Sequence, residues 1–296
     1  MREFVHSYIG SGFITNSTIG EVLKQATQRL MGHSGTPRQD AQAILAHVLD
    51  DAPREYLIAH PEVPLGAVKV SQFEKLLTLR INGMPLAYIL GRRAFFDRTF
   101  LVTPHVLIPR PETEHVVETA LDWAKEQRRS NLRIVDVGTG SGVIALTLAA
   151  HLPDSRVIAA DVSGAAVLVA RENAQTLSNI TFVQADLLEG LHGPFDIICA
   201  NLPYIATEDM SVLEVARFEP HVALDGGRDG LTLIRRLLVQ APSRLASPGL
   251  LLLEIGADQG AAVCALARAA FPHADFAIIK DLAGLDRVVS VRQAPA

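Results

Sequence analysis

Four consecutive residues, Asn201-Leu202-Pro203-Tyr204, hold the groups that would grip a planar nitrogen. The Asn201 side-chain oxygen and the Leu202 main-chain carbonyl are both acceptors, so each can take one N–H of an amide or amino group. Pro203 fixes its own φ and restricts Leu202 before it, which stiffens the pair. Tyr204 adds a flat ring on which an amide or a base can lie. A turn that ends a strand in front of a core tyrosine would read the same way, so the surrounding pattern has to decide.

Upstream, Ile134-Val135-Asp136-Val137 runs into Gly138-Thr139-Gly140-Ser141-Gly142. Glycines at such a strand-to-helix junction let the backbone turn tightly and approach a ligand, and the helix start offers unpaired N–H groups. A glycine-rich turn alone also serves dinucleotides, or only a tight bend. The acids that follow sharpen it. Asp161 stands about twenty residues past the loop, where a carboxylate can accept both hydroxyls of a ribose. Asp186-Leu187 follows the next strand, placed to hold an adenine amino group and flank its ring. Asp136 would meet the loop or the amino-acid part of the ligand. An acid at the end of each of three successive strands is unlike the usual dinucleotide site, so an oxidoreductase using NAD is disfavoured.

These groups need a frame. From residue 132 the pattern alternates: strands at 133–137, 157–160, 181–184, 195–200, 250–255, 276–279 and 287–291, with helices at 142–151, 164–176, 231–245 and 259–270. Alternation with apolar strands predicts an α/β fold, a seven-stranded, mostly parallel, Rossmann-like sheet covered on both faces. The last two strands have little between them, so one should run antiparallel. Residues 1–90 predict a small helical bundle of four or five helices. Thr18 and Glu21 form a capping-box pattern, and Thr36-Pro37 opens a second helix. A short hairpin is expected within a connection at 91–110. A helix leads from about residue 114 to 129, and the α/β domain spans 111–296.

Composition narrows the class. A chain of 296 residues with 49% hydrophobic and 20% charged residues fits an ordinary soluble globular protein. No N-terminal stretch reads as a signal peptide or membrane span, so a cytoplasmic place is expected. Cys199 and Cys264 have no pairwise or metal-like spacing, which argues against a disulfide scaffold or a zinc site; no metal is expected. Residues 1–110 hold 12 Lys/Arg against 9 Asp/Glu, whereas 111–296 hold 15 against 23. An acidic α/β part is a poor match for a nucleic-acid backbone.

The glycine loop with its ordered acids resembles the class I, seven-strand methyltransferases. The resemblance implies S-adenosylmethionine, with Gly138, Thr139, Gly140, Ser141 and Gly142 near its methionine end, Asp161 at the ribose, Asp186 and Leu187 at the adenine, and Asn201 beside the cofactor. Asn201–Tyr204 resembles the Asn-Pro-Pro-Tyr signature of enzymes that methylate adenine amino groups or glutamine amides. Leu202 departs from it where proline is expected, which keeps the carbonyl but relaxes the loop. Further stretches, including 83–91, 107–114, Phe218-Glu219-Pro220, 224–227, 253–256 and 280–284, are similar to the release factor glutamine methyltransferases (the HemK/PrmC family). That resemblance covers nearly the whole chain. It implies that the substrate is the glutamine of the Gly-Gly-Gln loop of peptide chain release factors, and that the N-terminal helices help to dock that protein. Arg110, Glu112 and Glu114 belong either to domain orientation and partner contact or to a solvated helix start.

Two other classes stay in view. An adenine-amino methyltransferase would share Asn201–Tyr204 but should carry a basic recognition region. A non-catalytic protein that keeps the fold has Leu202 as its support. Nucleic acid is not expected as the direct substrate, and no membrane is implied. If Asp161 holds the ribose, Asp161→Ala should weaken S-adenosylmethionine binding before it alters anything else. Titration calorimetry checks this, and an unchanged affinity would contradict the assignment.

Overall fold

In the computed structural model, residues 17–295 are described, and the chain divides after Gly91 into two compact units. Among its described residues the first unit holds five helices, α1 (Ile19–Leu30), α2 (Pro37–Val48), α3 (Arg54–Ala59), α4 (Ala67–Ile81) and α5 (Leu86–Leu90). The capping box is real: Thr18 Oγ1 accepts from the Glu21 amide, and the Glu21 carboxylate accepts from the Thr18 amide. Ile19, Val22, Ala26 and Leu30 of α1 fall on one face and pack with Ile44 and Leu45 of α2 and Phe73 and Leu77 of α4. Polar chemistry joins this core at Asp40, which the apolar stripe of α2 did not foretell. Asp40 is buried, and it accepts from Ser34 Oγ at 2.7 Å, Thr36 Oγ1 at 2.9 Å and Arg80 Nε at 2.6 Å.

The second unit opens with the expected hairpin, β1 (Arg92–Phe95) and β2 (Arg98–Leu101), and continues through α6 (Glu114–Gln127). Then come β3 (Arg133–Val137), α7 (Val143–His151), β4 (Arg156–Asp161), α8 (Gly164–Asn173), β5 (Ile180–Gln184), β6 (Phe195–Ala200), α9 (Thr232–Gln240), β7 (Leu245–Glu254), α10 (Gly260–Ala270), β8 (Asp275–Lys280) and β9 (Asp286–Gln293). The sheet order is β5-β4-β3-β6-β7-β9-β8. The first five strands run parallel, and β9 is antiparallel to both neighbours.

The period of two along each strand sorts side chains into two layers. Val135, Val137, Ile198, Ala200, Leu251 and Leu253 pack with α9 and α10. Ile134, Ile197, Cys199, Leu250 and Leu252 pack with α6, α7 and the hairpin phenylalanines. Cys199 is thus a small core residue, as expected. Two boundaries differ by five residues from the sequence pattern, more than any other strand or helix end in the second unit. α9 ends at Gln240 and gives way to a single 3-10 turn, because Pro242 lacks the N–H that a continuing helix would use. β7 begins at Leu245, since Leu245 pairs with Phe195 before the apolar run starts.

Removing Asp40 would leave the Arg80 guanidinium, itself mostly buried, without its counter-charge. Asp40→Ala should therefore destabilise the protein by about 3 kcal/mol. Urea denaturation of the full chain measures it, and an unmoved midpoint would refute the pairing as a source of stability.

Candidate functional site

Parallel pairing brings five strand ends to one edge of the sheet. Val137 is level with Ala160 and Ala200, Asp161 with Gln184, and Ala200 with Leu253. The residues just beyond those ends line a cavity of about 510 Å³, within the range of small-molecule sites. Open α/β sheets bind ligands at this edge.

The glycine loop crosses the edge with positive φ at Gly138, Gly140 and Gly142, a region that costs other residues strain. The Gly138 and Thr139 amides both bond to the Ala160 carbonyl, which pins the loop to β4. A side chain at Gly140, which lines the cavity, would meet nothing within 4 Å. Asp161 then braces the loop from β4: Oδ2 accepts from the Gly140 amide at 2.9 Å and Oδ1 from the Ser163 amide at 2.8 Å. Each oxygen keeps a further lone pair for a ligand hydroxyl. Burial raises the Asp161 pKa, and these two N–H bonds oppose the rise.

Asp136 lies beneath the loop, fully buried. Its Oδ2 accepts from Thr139 Oγ1 at 2.6 Å and from the Ala145 amide at 3.2 Å, while Oδ1 has no partner among the described residues. Burial pushes its pKa up to about 7, opposed by Thr139 and Ala145 and assisted by the charge of Asp161. Farther along the edge, Asp186 receives Arg236 Nη2 of α9 at 2.8 Å, and both line the cavity. Leu187 beside it adopts φ +55° and also lines the cavity.

On the other side stands Asn201-Leu202-Pro203-Tyr204. Its main chain is held by the segment at 224–230 and by Gln259. The Gly226 amide bonds to the Ile205 carbonyl, the Ile205 amide to the Leu224 carbonyl, and Gln259 Nε2 to the Tyr204 carbonyl. A Cβ at Gly226 would come within 2.6 Å of the Pro203 oxygen, and one at Gly230 would overlap the Tyr204 oxygen. Only glycines allow two backbones this close. The rigidity that Leu202 forgoes in place of proline is therefore supplied by packing. The Leu202 side chain is buried and lies close over Gly138, so the two loops touch.

Residues 107–113 close the cavity from the α6 side. The buried Glu219 carboxylate accepts from the Ile108 amide at 3.0 Å and from Arg110 Nη2 at 2.5 Å. Glu114 accepts from the Phe96 amide. Arg110 and Glu114 thus have partners inside this unit. Thr113 Oγ1 accepts from Asn201 Nδ2 at 3.2 Å, and both groups face the buried Glu254 carboxylate at the end of β7, whose pKa they lower.

Gly138, Thr139, Gly140, Ser141, Asp161, Asp186, Leu187, Asn201, Leu202 and Pro203 all line the one cavity. Gly142 and Tyr204 stand outside the lining. Gly142 caps α7, where a Cβ would press on Leu146 and Ala170. The half-buried Tyr204 senses the charges of Glu254, Arg287, Arg110 and Glu112. Sequence reasoning missed Thr113, Arg236 and the role of Glu254. The stretch 253–256 was singled out as a motif, and an acid ending an otherwise apolar strand was the physical signal that could have given Glu254 a role.

Comparison with known proteins gives the family. Residues 21–91 match the family described as PrmC N-terminal domain, and 120–218 the Methyltransferase small domain. The chain is 41% identical over 271 residues to the release factor glutamine methyltransferase of Xylella fastidiosa, spanning 90% of this chain and 95% of that one. It is 42% identical over 276 residues to that of Moorella thermoacetica, spanning 91% and 96%. In fold alone it is similar to the hMettl16 catalytic domain solved in complex with MAT2A 3′UTR hairpin 6. There the identity is 16% and the TM-score 0.54, over 77% of this chain and 84% of that one.

The buried acids impose a pH dependence. Asp136 and Glu254 are each pushed up to about 7, above their ordinary range near 4, chiefly by burial. Between about pH 4 and 7 the folded chain then holds protons that the unfolded chain has released, so stability falls as pH rises through that window. Asp136→Asn keeps an acceptor for Thr139 and Ala145 and removes the charge. It should flatten part of that slope, by an amount on the order of a few kcal/mol between pH 4.5 and 7.5. Urea midpoints at the two pH values measure it; a slope equal to that of the wild type would refute the assignment.

Proposed function

This chain belongs to the release factor glutamine methyltransferase family, and from that premise we propose that it methylates the side-chain amide nitrogen of a glutamine in the Gly-Gly-Gln loop of peptide chain release factors. S-adenosylmethionine is the methyl donor, and when bound it supplies an electrophilic sulfonium methyl carbon. The donor set fits it. Gly138–Ser141 give an open backbone surface for the amino-acid end, Asp161 spare lone pairs for the ribose, and Asp186 with Leu187 an acceptor and an apolar flank for the adenine. Gly142 shapes the same loop as the cap of α7.

The observation that carries the reading is the orientation of Asn201. Its Nδ2 is turned to Thr113, so its Oδ1 is the end left for an N–H in the cavity. An amide nitrogen is a weak nucleophile because its lone pair is delocalised into its carbonyl. Holding both of its N–H bonds, one on Asn201 Oδ1 and one on the Leu202 carbonyl, fixes its direction of attack, which is where a positioned site gains most. Pro203 holds the Leu202 carbonyl in place, and Tyr204 supports the loop from behind. No base has to remove a proton before transfer.

The acidic balance of residues 111–296 speaks against a nucleic-acid backbone as the direct substrate. The helical unit, residues 1–90, would help to dock the release factor. A cytoplasmic place goes with this reading, and no helix among the described residues is long and apolar enough to cross a membrane.

The test is methyl transfer from labelled S-adenosylmethionine to purified release factor, beside a factor with the loop glutamine changed to alanine and a DNA duplex. Label on the intact factor alone is expected; label on DNA would move the enzyme to the adenine class. Asn201→Ala should lower kcat at least about 100-fold while cofactor affinity stays near that of the wild type. Equal loss of both would count against a positioning role.

A further inference from the structure

One buried acid beside this site has no part in the reading above. Glu254 is the last residue of β7, and it is 1% exposed. β6 and β7 run parallel and in register through Ala200 and Leu253, so Asn201 and Glu254 follow at neighbouring strand ends. The period of two puts them on the same face. Asn201 continues the row of Ile197 and Cys199, and Glu254 that of Leu250 and Leu252, all in the layer that α6 covers. Thr113, buried just before α6, meets Asn201 directly and faces Glu254.

The hydrogen bonds run in one direction. The Thr113 hydroxyl and the Asn201 amide both face the Glu254 carboxylate and lower its pKa, and toward an ionised carboxylate the hydroxyl can only donate. A threonine hydroxyl has a single hydrogen. With that hydrogen spent on Glu254, Thr113 has only lone pairs to offer Asn201, and Asn201 Nδ2 donates to it at 3.2 Å. An ionised carboxylate is likewise an acceptor only. Both inward neighbours therefore accept only the N–H end of the Asn201 amide. The carboxylate still leaves Oε2 without a partner among the described residues, a burial cost that an apolar side chain would avoid.

We propose that Glu254 and Thr113 are positioning residues: together they lock the Asn201 amide with its N–H end inward, so that its carbonyl oxygen faces the cavity and receives the N–H of the substrate. The assignment rests on the glutamine-methylating role proposed above. Burial pushes the Glu254 pKa up to about 7, against the Thr113 hydrogen bond, the Arg287 guanidinium of β9 and the Asn201 hydrogen bond, with the Glu112 carboxylate adding to the rise. Tyr204 also faces this group, and Arg110 lies near Tyr204. When Glu254 takes a proton it becomes a donor, Thr113 is freed to turn its hydrogen toward Asn201, and both orientations of the amide are satisfied.

The experiment measures kcat and KM for release factor methylation, cofactor affinity by calorimetry and the melting temperature. It compares the wild type with Thr113→Ser, Thr113→Val and Glu254→Gln. The serine keeps the hydroxyl and should hold kcat within about threefold of the wild type. The valine keeps the shape, and the glutamine can offer a donor as well as an acceptor. Each should lower kcat roughly 10- to 100-fold with little change in cofactor affinity. In the wild type kcat should fall as pH drops through about 7, and in Glu254→Gln this limb should flatten. Folded valine and glutamine variants with wild-type kcat and an unchanged pH limb would overturn the assignment while leaving the parent reading intact. A wild type that binds cofactor but leaves the release factor unlabelled would overturn both.

Discussion

Where the loop after β6 crosses the segment at 224–230, two main chains lie against each other with no side chain between them. The Pro203 and Tyr204 carbonyls occupy the space that a Cβ at Gly226 or Gly230 would fill, and amide-to-carbonyl bonds at Ile205 and Gly226 tie the two segments together. This contact decides where Asn201 and the Leu202 carbonyl stand, and the rest of the site is arranged around them. The cavity forms because the glycine loop after β3 passes on the other side, with no side chain at 138, 140 or 142, and because Leu202 fills the gap over Gly138. A leucine in this place does more than stand in for a stiffer residue. Its side chain carries apolar packing across from one loop to the other.

Around this frame the protein accepts an electrostatic cost. Asp136, next to the end of β3, and Glu254, at the end of β7, lie on the same layer of the sheet, both buried, each with one carboxylate oxygen lacking a partner among the described residues. Two such acids lower stability at neutral pH, the opposite of what salt-bridged surface carboxylates do. They are placed where orientation matters: Asp136 holds Thr139 and the start of α7, and Glu254 faces Thr113 and Asn201. Groups with strongly shifted pKa values gather at functional sites because burial and fixed partners are what a precise polar arrangement requires. The influence of Asp136 extends across the sheet to its register partner Cys199, whose thiol is held neutral first by burial and then by that carboxylate.

The rim of the cavity is held by ion pairs that span long stretches of chain. Glu219 gathers the Ile108 amide and the Arg110 side chain, and Arg236 reaches Asp186 from α9. Phe218-Glu219-Pro220 and residues 107–110 are separate motifs in the sequence, and in the fold they are the two halves of one clamp. The same holds for the stretch at 280–284. Asp281 closes the β8–β9 turn through the Ala283 and Leu285 amides and receives Arg287, whose charge in turn faces Glu254.

Much of this was written along the chain. The alternation of apolar strands with helices determined the parallel sheet, because a strand buried on both faces must be apolar throughout. The strand-end positions of Gly138, Asp161, Asp186 and Asn201 then followed, since parallel strands present their carboxyl ends at one edge. The capping box at Thr18 was legible because its bonds are local. What the sequence could not decide were meetings set by register and by the path of loops. Thr113 lies 88 residues before Asn201, and although it stands inside the motif at 107–114, nothing local ties it to Asn201. Glu254 acquires its place only when β7 lines up with β6. Tyr204, legible as a residue type, has its place behind the lining fixed by contacts with Gln259 and Gly230 that come from other elements. Local patterns report what a segment becomes, because helices and strands are stabilised by neighbours in sequence. Which side chains come to face one another is fixed by tertiary packing, and that is where the orientation of Asn201 was decided.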